Sequence, residues 1–406
     1  ELDASRTWWA ASALAYGSAA RPPWRRRSWT PTRCSRKPGS GPSYRSWSNG
    51  GPGPRSTPGR PRSPKNPKTP TGPREVRGRP ALDLTGDVTR ETDTCSGRRV
   101  ARHGGQQAER IARLIAPLRV KPGSEVDLAR DFDPRYKAHI KKKDGVELLR
   151  SGVTLLAEYQ QRLAAQDTYG VLLCLQALDA GGKDGTIRHV MSGVNPQGVR
   201  VSSFKVPSSE ELSHDYLWRY AARLPGRGDI AIFNRSHYEE VLVVRVHPEV
   251  LDRQRLPDSV RTAKIWDRRY RDINDWERYL TGNGIKVVKV FLNLSKEEQR
   301  TRFMKRIDLP EKNWKFSAAD VRERRHWDEY QAAFSEMLSA TSTKWAPWYV
   351  VPADRKWFAR ICTAAVLAHT LMDIDPQYPT VSADARKDLL VAKRELEAEA
   401  PEGSAA

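Results

Sequence analysis

The stretch GVLLCLQALDAGGKDGTIRHV, residues 170–190, decides how the rest of the chain reads. Residues 170–178 form an uninterrupted apolar run of strand length between Gly170 and a glycine-rich turn, so they predict a strand buried on both faces. A helix is expected to follow, near 185–193. Strand, glycine turn, lysine and helix make the architecture of a phosphate-binding loop. Glycines let backbone N–H groups face an anion, the helix start adds a positive dipole end, and a lysine reaches the outer phosphates. Gly181, Gly182, Lys183, Asp184, Gly185 and Thr186 are therefore candidate phosphate contacts. The match to G-x-x-x-x-G-K-[ST] is imperfect, with Ala177 at the first glycine position and Asp184 at the Ser/Thr position. An ordinary glycine turn with a solvated lysine would share the spacing. Asp179 and Asp184 bracket that lysine. Carboxylates beside a phosphate site make sense when a cation lies between, and Mg²⁺ accepts a few carboxylates plus phosphate oxygens. Capping of loop N–H groups is their plainer use.

Outward from this loop, strands and helices alternate. Residues 198–206 and 228–234 read as strands, with a helix over 208–226 between them, opened by a capping Ser and closed by Pro-Gly. An aromatic and apolar stripe at helical spacing (Ile265, Tyr270, Ile273, Trp276, Leu280) predicts a helix over 258–281, and residues 285–294 a further strand. Ser295 and Glu298 have capping-box spacing and open a helix over 295–307. Residues 348–353 read as a last short strand, followed by a helix to about 372. This alternation predicts an α/β fold with a parallel sheet covered on both faces and right-handed crossovers.

Ligands of open α/β sheets bind outside the carboxyl ends of the strands, which puts Asn234-Arg235-Ser236-His237-Tyr238-Glu239-Glu240 beside the phosphate loop. Asn234 stands where an ATPase places a metal-binding Asp, and Glu239 and Glu240 follow one turn later. Arg235 can grip a phosphate bidentately, whereas His237 reads as a structural histidine. Arg300, Arg302, Lys305 and Arg306 crowd one helix, with Arg302 and Arg306 on one face. That row is either a solvated basic face or part of a mobile cationic lid, residues 300–341, whose second helix would span 317–341.

The formal net charge is +21, but 20 Lys/Arg against 7 Asp/Glu fall in the first hundred residues, together with 14 of the 28 prolines. Residues 1–104 thus predict a disordered, basic Pro/Gly/Arg-rich leader that cannot bury enough apolar area to fold. Its composition also resembles translated GC-rich DNA, so a misassigned start is expected ahead of a polyanion-binding arm. Residues 105–380 form the expected globular body and 381–406 a C-terminal helix and tail. No 18-residue apolar run predicts a membrane span, and no secretory signal is readable. Four cysteines without a CxxC pair fit a cytoplasmic setting, and Cys174, inside the apolar run, is expected to be buried.

Several long motifs resemble polyphosphate kinase family 2. They are LDAGGKDGTIRHV, GVNPQGVRVSSF, DYLWRY, IFNRSHYEEVLVVRV, LPEKNWKF, RRHWDEYQ and TKWAPWYVVPAD, in order, with VKPGSEVDLARDFDP ahead of them. The likeness spans about 115–380 and is strongest to the class III branch, which handles both AMP and ADP. It implies a P-loop kinase core similar to thymidylate kinase with a helical lid. It also implies Mg²⁺-dependent transfer of a phosphoryl group between inorganic polyphosphate and AMP or ADP, forming ADP or ATP. Asp179, Lys183 and Asp184 match the family's phosphate-loop acid, lysine and following acid, Arg235 the arginine of the second motif, and Arg306 a lid arginine. Class III members carry Asn at position 234 and the glutamate that is Glu239 here; Glu240 stands where Asp is common.

The expected catalytic residues are Asp179, Lys183, Arg235, Glu239 and Arg306. Arg302 and Arg306 are expected to bind phosphate beside the loop, and Asp179, Asp184, Glu239 and Glu240 to hold Mg²⁺, with Mn²⁺ as a substitute. A cytoplasmic homo-oligomer, dimer or tetramer, is expected, with no membrane and no nucleic-acid partner. Two other readings remain open at this stage: an ATP-dependent nucleoside-monophosphate or small-molecule kinase on the same fold, and a non-enzymatic polyanion binder. The binder gives no reason for paired carboxylates beside a phosphate loop.

Overall fold

The computed structural model describes residues 107–399; the expected leader and the last seven residues lie outside the described residues. Five parallel strands make one sheet: β1 (Gly170–Gln176), β2 (Val199–Ser203), β3 (Ile230–Asn234), β4 (Ile285–Asn293) and β5 (Trp348–Pro352). Their order is β2-β3-β1-β4-β5. All seven residues of β1 are buried, because β3 and β4 flank it and helices cover both faces. The order reverses beside β1, so the loops after β1 and β3 open onto one crevice.

The main helices are α1 (Lys142–Gln166), α2 (Lys183–Val190), α3 (Ile265–Gly282), α4 (Lys296–Asp308), α5 (Ala318–Glu323), α6 (Trp327–Thr341), α7 (Lys356–Ile374) and α8 (Ala383–Ala398), the last with no buried residue. On one face α1, α2 and α7 close over the sheet residues Val171, Leu173, Leu175, Val288 and Val290. On the other, α3 and α6 pack Tyr270, Ile273, Phe334 and Leu338 against Phe291 and Val350. Helix α7 is long and apolar enough to cross a membrane by length and composition, yet most of it is buried in this core. Cys174 is fully buried, as expected, and burial pushes its thiol well up.

Two elements differ from expectation. Residues 208–226 do not form one helix, only a 3-10 turn at Glu211–Ser213 and one helical turn at Trp218–Ala221. His214 is extended and stacks on Trp218 at 4.0 Å, and Asp215 caps the new turn by accepting from the Leu217 N–H at 2.9 Å. The break lets the buried Arg219 reach the Lys205 carbonyl (2.9 Å) and Glu211 (3.3 Å). The helix expected over 317–341 is likewise divided, into α5 and α6, by a 3-10 turn at Arg324–His326. At α4, Ser295 accepts from the Glu298 N–H at 3.1 Å, as a cap should. The reciprocal half of the box comes from elsewhere: the Ser295 N–H donates to Asp354 (2.8 Å), which frees Glu298 for Arg302 (2.9 Å).

Candidate active site

The phosphate loop turns sharply between β1 and α2. Ala180 and Gly182 take positive φ, 61° and 99°. A Cβ on Gly181 would lie 2.5 Å from the Ala177 Cβ and 2.8 Å from the Leu178 carbonyl oxygen, so only glycine fits there. Lys183 opens α2 and its ammonium donates to the Ala177 carbonyl at 2.8 Å. Crowding by protein atoms, then the Arg235 charge, lowers its pKa to about 8. Thr186 is buried in the first turn of α2, while Asp184 is exposed and accepts from the Asn234 amide at 2.8 Å. Asn234 also reaches Ser203 at 3.3 Å. An Asp at position 234 would face Asp184 as a like charge; Asn supplies the donor instead.

From the end of β3, Arg235 adopts φ 65°, unusual for a residue with a side chain, and its guanidinium bridges two acids. It donates to Asp179 at 2.8 Å and to Glu239 at 3.1 Å. Burial works against the Arg235 charge, but Glu239 and Asp179 together hold its pKa up. Glu239 is buried, and the Gln176 amide satisfies its other oxygen at 2.9 Å when the nitrogen faces the carboxylate. His237 is fully buried against Glu277 (3.3 Å), in line with a structural role.

The structure thus brings Asp179, Lys183, Asp184, Asn234, Arg235 and Glu239 together, and it gives three expected residues other partners. Glu240 points away from the phosphate loop: it accepts from Gln254 (2.7 Å) and lies 3.6 Å from Arg269, and burial raises its pKa. It is corrected from metal ligand to buried partner of α3. Arg302 is corrected from phosphate contact to strap. It is buried and donates to the carbonyls of Ala180 (2.9 Å), Gly181 (3.0 Å) and Ala353 (2.5 Å), holding the loop backbone in place. Arg306 is held in the lid segment by Asp320 (3.3 Å) and the Lys315 carbonyl (3.2 Å).

Sequence reasoning missed Asp320. It is buried on α5, facing a cavity whose walls include Asp179, Arg235, Glu239, Trp327 and Tyr330. Desolvation, then the Asp179 charge, raises its pKa to about 7. Only its place after the Ser317 cap was visible beforehand.

No three acidic, Cys or His side chains converge into a metal cage among the described residues. Asp179 and Asp184 nevertheless fit a divalent cation completed by substrate oxygens, since Mg²⁺ keeps few protein ligands and takes the rest from phosphate and water. Asp184 is exposed with one oxygen on Asn234, which leaves the other for a ligand.

The polyphosphate kinase 2 (PPK2) family model matches residues 139–379. This chain belongs to the polyphosphate kinase 2 family. It is 50% identical over 283 residues to an ADP-polyphosphate phosphotransferase of Rhodopseudomonas palustris, covering 69% of this chain and 97% of that protein. It is 44% identical over 271 residues to an AMP/ADP-polyphosphate phosphotransferase of Meiothermus ruber, covering 66% of this chain and 97% of that protein. Among solved structures, the polyphosphate kinase 2 of Arthrobacter aurescens TC1 superposes with a TM-score of 0.62 at 41% identity, covering 68% of this chain and 95% of that one. These likenesses bear out the resemblance and the P-loop kinase-like fold of a parallel sheet flanked by helices.

Proposed function

We propose that this polyphosphate kinase 2 transfers a phosphoryl group between inorganic polyphosphate and AMP or ADP. The observation that carries the reading is the convergence of Lys183, Asp179, Asp184, Arg235 and Glu239 at the switch point of the sheet, in a chain half identical to an ADP-polyphosphate phosphotransferase. The class III likeness and the name of the Meiothermus ruber relative support both AMP and ADP as acceptors.

In such transfer the protein supplies positioning and charge stabilisation rather than covalent chemistry. A terminal phosphate oxygen of the nucleotide attacks the end phosphorus of polyphosphate, and the bond to the remaining chain breaks. The Gly181–Lys183 backbone and the Lys183 ammonium cradle the transferred group, and Arg235 spreads its charge. Glu239 sets the guanidinium of Arg235 and faces the acceptor. Asp179 and Asp184 would hold the divalent metal that phosphotransferases of this family generally need, Mg²⁺ by its oxygen preference and Mn²⁺ as a substitute. When bound, that cation neutralises phosphate charge and aligns the reacting oxygens. Arg306 would join when Asp320 releases it. A cytoplasmic homo-oligomer remains our expectation.

The test is an ATP-free incubation of the protein with AMP or ADP, Mg²⁺ and polyphosphate. Formation of ADP and ATP is expected; turnover only when ATP is the donor would overturn the reading in favour of an ordinary kinase.

A further inference from the structure

Two opposite charges lie wholly inside the molecule, beneath the turn that carries Glu239. Glu277 of α3 and Lys289 of β4 are fully buried and meet at 2.7 Å. Lys289 shares its row of the sheet with Cys174 of β1 and Phe233 of β3, one residue before Asn234 at the carboxyl end of β3. An apolar pair of similar volume is often as stabilising in such a place, because desolvating two ions offsets most of what their attraction contributes. Stability alone therefore gives no reason for this pair.

Direction gives one. Apolar contacts tolerate sliding, whereas a hydrogen bond fixes distance and angle together. The Lys289 ammonium has three donors and aims them at three elements. They go to Glu277, to the Tyr238 hydroxyl (2.9 Å) and to the Thr341 carbonyl at the end of α6 (2.6 Å). Glu277 Oε1 accepts from the Tyr238 hydroxyl at 2.7 Å and lies 3.3 Å from His237 Nε2. Trp276 packs edge-on to His237 and Trp348 edge-on to Tyr238, with ring centroids 4.9 and 4.7 Å apart. His237 and Tyr238 are thus pinned from beneath, and they stand between Arg235 and Glu239 in the chain. Every residue of their 3-10 turn, His237–Val241, is buried. Arg235 itself holds φ 65°, a conformation that persists only where the surroundings over-determine it.

We propose that Glu277 and Lys289 are positioning residues for the phosphoryl transfer: they clamp His237 and Tyr238 so that Arg235 and Glu239, on either side, keep the geometry the transferred group needs. This role rests on Arg235 and Glu239 acting in the transfer. Being fully buried, neither clamp residue reaches substrate itself. Displacing a group by about 1 Å at a reacting centre can cost on the order of a hundredfold in rate. A loosened turn should therefore show in kcat before it shows in binding.

The test uses the full chain and the apolar variant Glu277→Leu/Lys289→Met, which removes both charges and strands neither. kcat and KM are measured for polyphosphate and nucleotide, together with the thermal midpoint. kcat should fall roughly ten- to a hundredfold, with KM little changed and the midpoint near that of the wild type. Glu277→Gln/Lys289→Met gives Tyr238 and His237 an acceptor again and should recover part of the lost kcat, which packing alone would not do. Added to Arg235→Ala, the apolar variant should cost far less kcat than when added to the wild type, because the main group it positions is gone. Should the apolar variant not fold, Tyr238→Phe deletes one hydroxyl, keeps the ring and should likewise lower kcat at little-changed KM. Wild-type kcat in the folded variant, a rise in KM alone, no recovery with Gln, or equal losses with and without Arg235 would overturn the clamp and leave the donor assignment intact. Transfer from ATP but not from polyphosphate would overturn the donor assignment instead, and the same variants would then decide the clamp on the ATP reaction.

Discussion

Lys183 sits on the Ala177 carbonyl at the start of α2, where a phosphate oxygen can take over the same ammonium. Its removal deletes a charge-stabilising group but no core contact. Lys183→Ala is therefore expected to lower kcat/KM at least about a hundredfold, the usual cost of an electrostatic group at a reacting centre, with unchanged circular dichroism and thermal midpoint. Asp179→Asn should behave alike. Near wild-type rates in either would remove the phosphate loop from the mechanism. Glu239 holds Arg235 at 3.1 Å and stands one turn beyond Asn234, so Glu239→Ala should impair AMP as acceptor more than ADP. Equal losses on both acceptors would reduce Glu239 to a general support of Arg235. At this scale Lys183, Asp179 and Asp184 were legible, because their spacing on a loop is local. Glu240 was not: two adjacent acids look alike in a sequence, and only the fold sends one to Arg235 and the other to Gln254 and Arg269.

Beneath the Asn234–Glu240 segment runs a buried network that joins four elements. Lys289, mid-way along β4, donates to Glu277 of α3 (2.7 Å), to the Tyr238 hydroxyl (2.9 Å) and to the carbonyl of Thr341 at the end of α6 (2.6 Å). Both charges are fully buried. Breaking such a pair strands the other charge, so Lys289→Met should cost roughly 3–5 kcal/mol. Adding Glu277→Leu should recover much of that loss in a denaturant titration. No recovery would mean that the cost lies in packing around Lys289 rather than in the stranded carboxylate. A second clasp ties α5 to the body: His247 contacts Glu323 at 2.8 Å and Glu249 at 3.3 Å. Burial lowers the His247 pKa, but these acids outweigh it and raise the net value. A raised histidine stabilises fully below its ordinary pKa of about 6.5, and that contribution is lost as pH climbs through the raised value. Hydrogen exchange at residues 318–323 should therefore quicken as pH rises from 6 to 8, after correction for intrinsic rates. His247→Gln should remove this pH dependence, and protection that stays flat in the wild type would argue against the clasp.

For the molecule as a whole, the family match spans 139–379 and residues 107–399 carry the described fold. The Rhodopseudomonas palustris relative is matched over 97% of its length by 69% of this chain. A chain beginning at Ala101 is accordingly expected to keep wild-type kcat and KM for polyphosphate. A loss of more than a few fold would give the first hundred residues a part in the reaction.

What the sequence determined by itself was the alternation of apolar strands and capped helices, the phosphate loop and the acids and lysine upon it. Each is set by neighbours within a few residues, through periodicity, glycine geometry and spacing along one turn. Tertiary structure decided how the cations are used. Arg302 became a strap because the carbonyls of residues 180, 181 and 353 converge on it, and Asp320 entered the site because α5 folds over Asp179. A charged side chain takes its role from the partners within a few ångströms, and those partners lie tens to more than a hundred residues away along the chain.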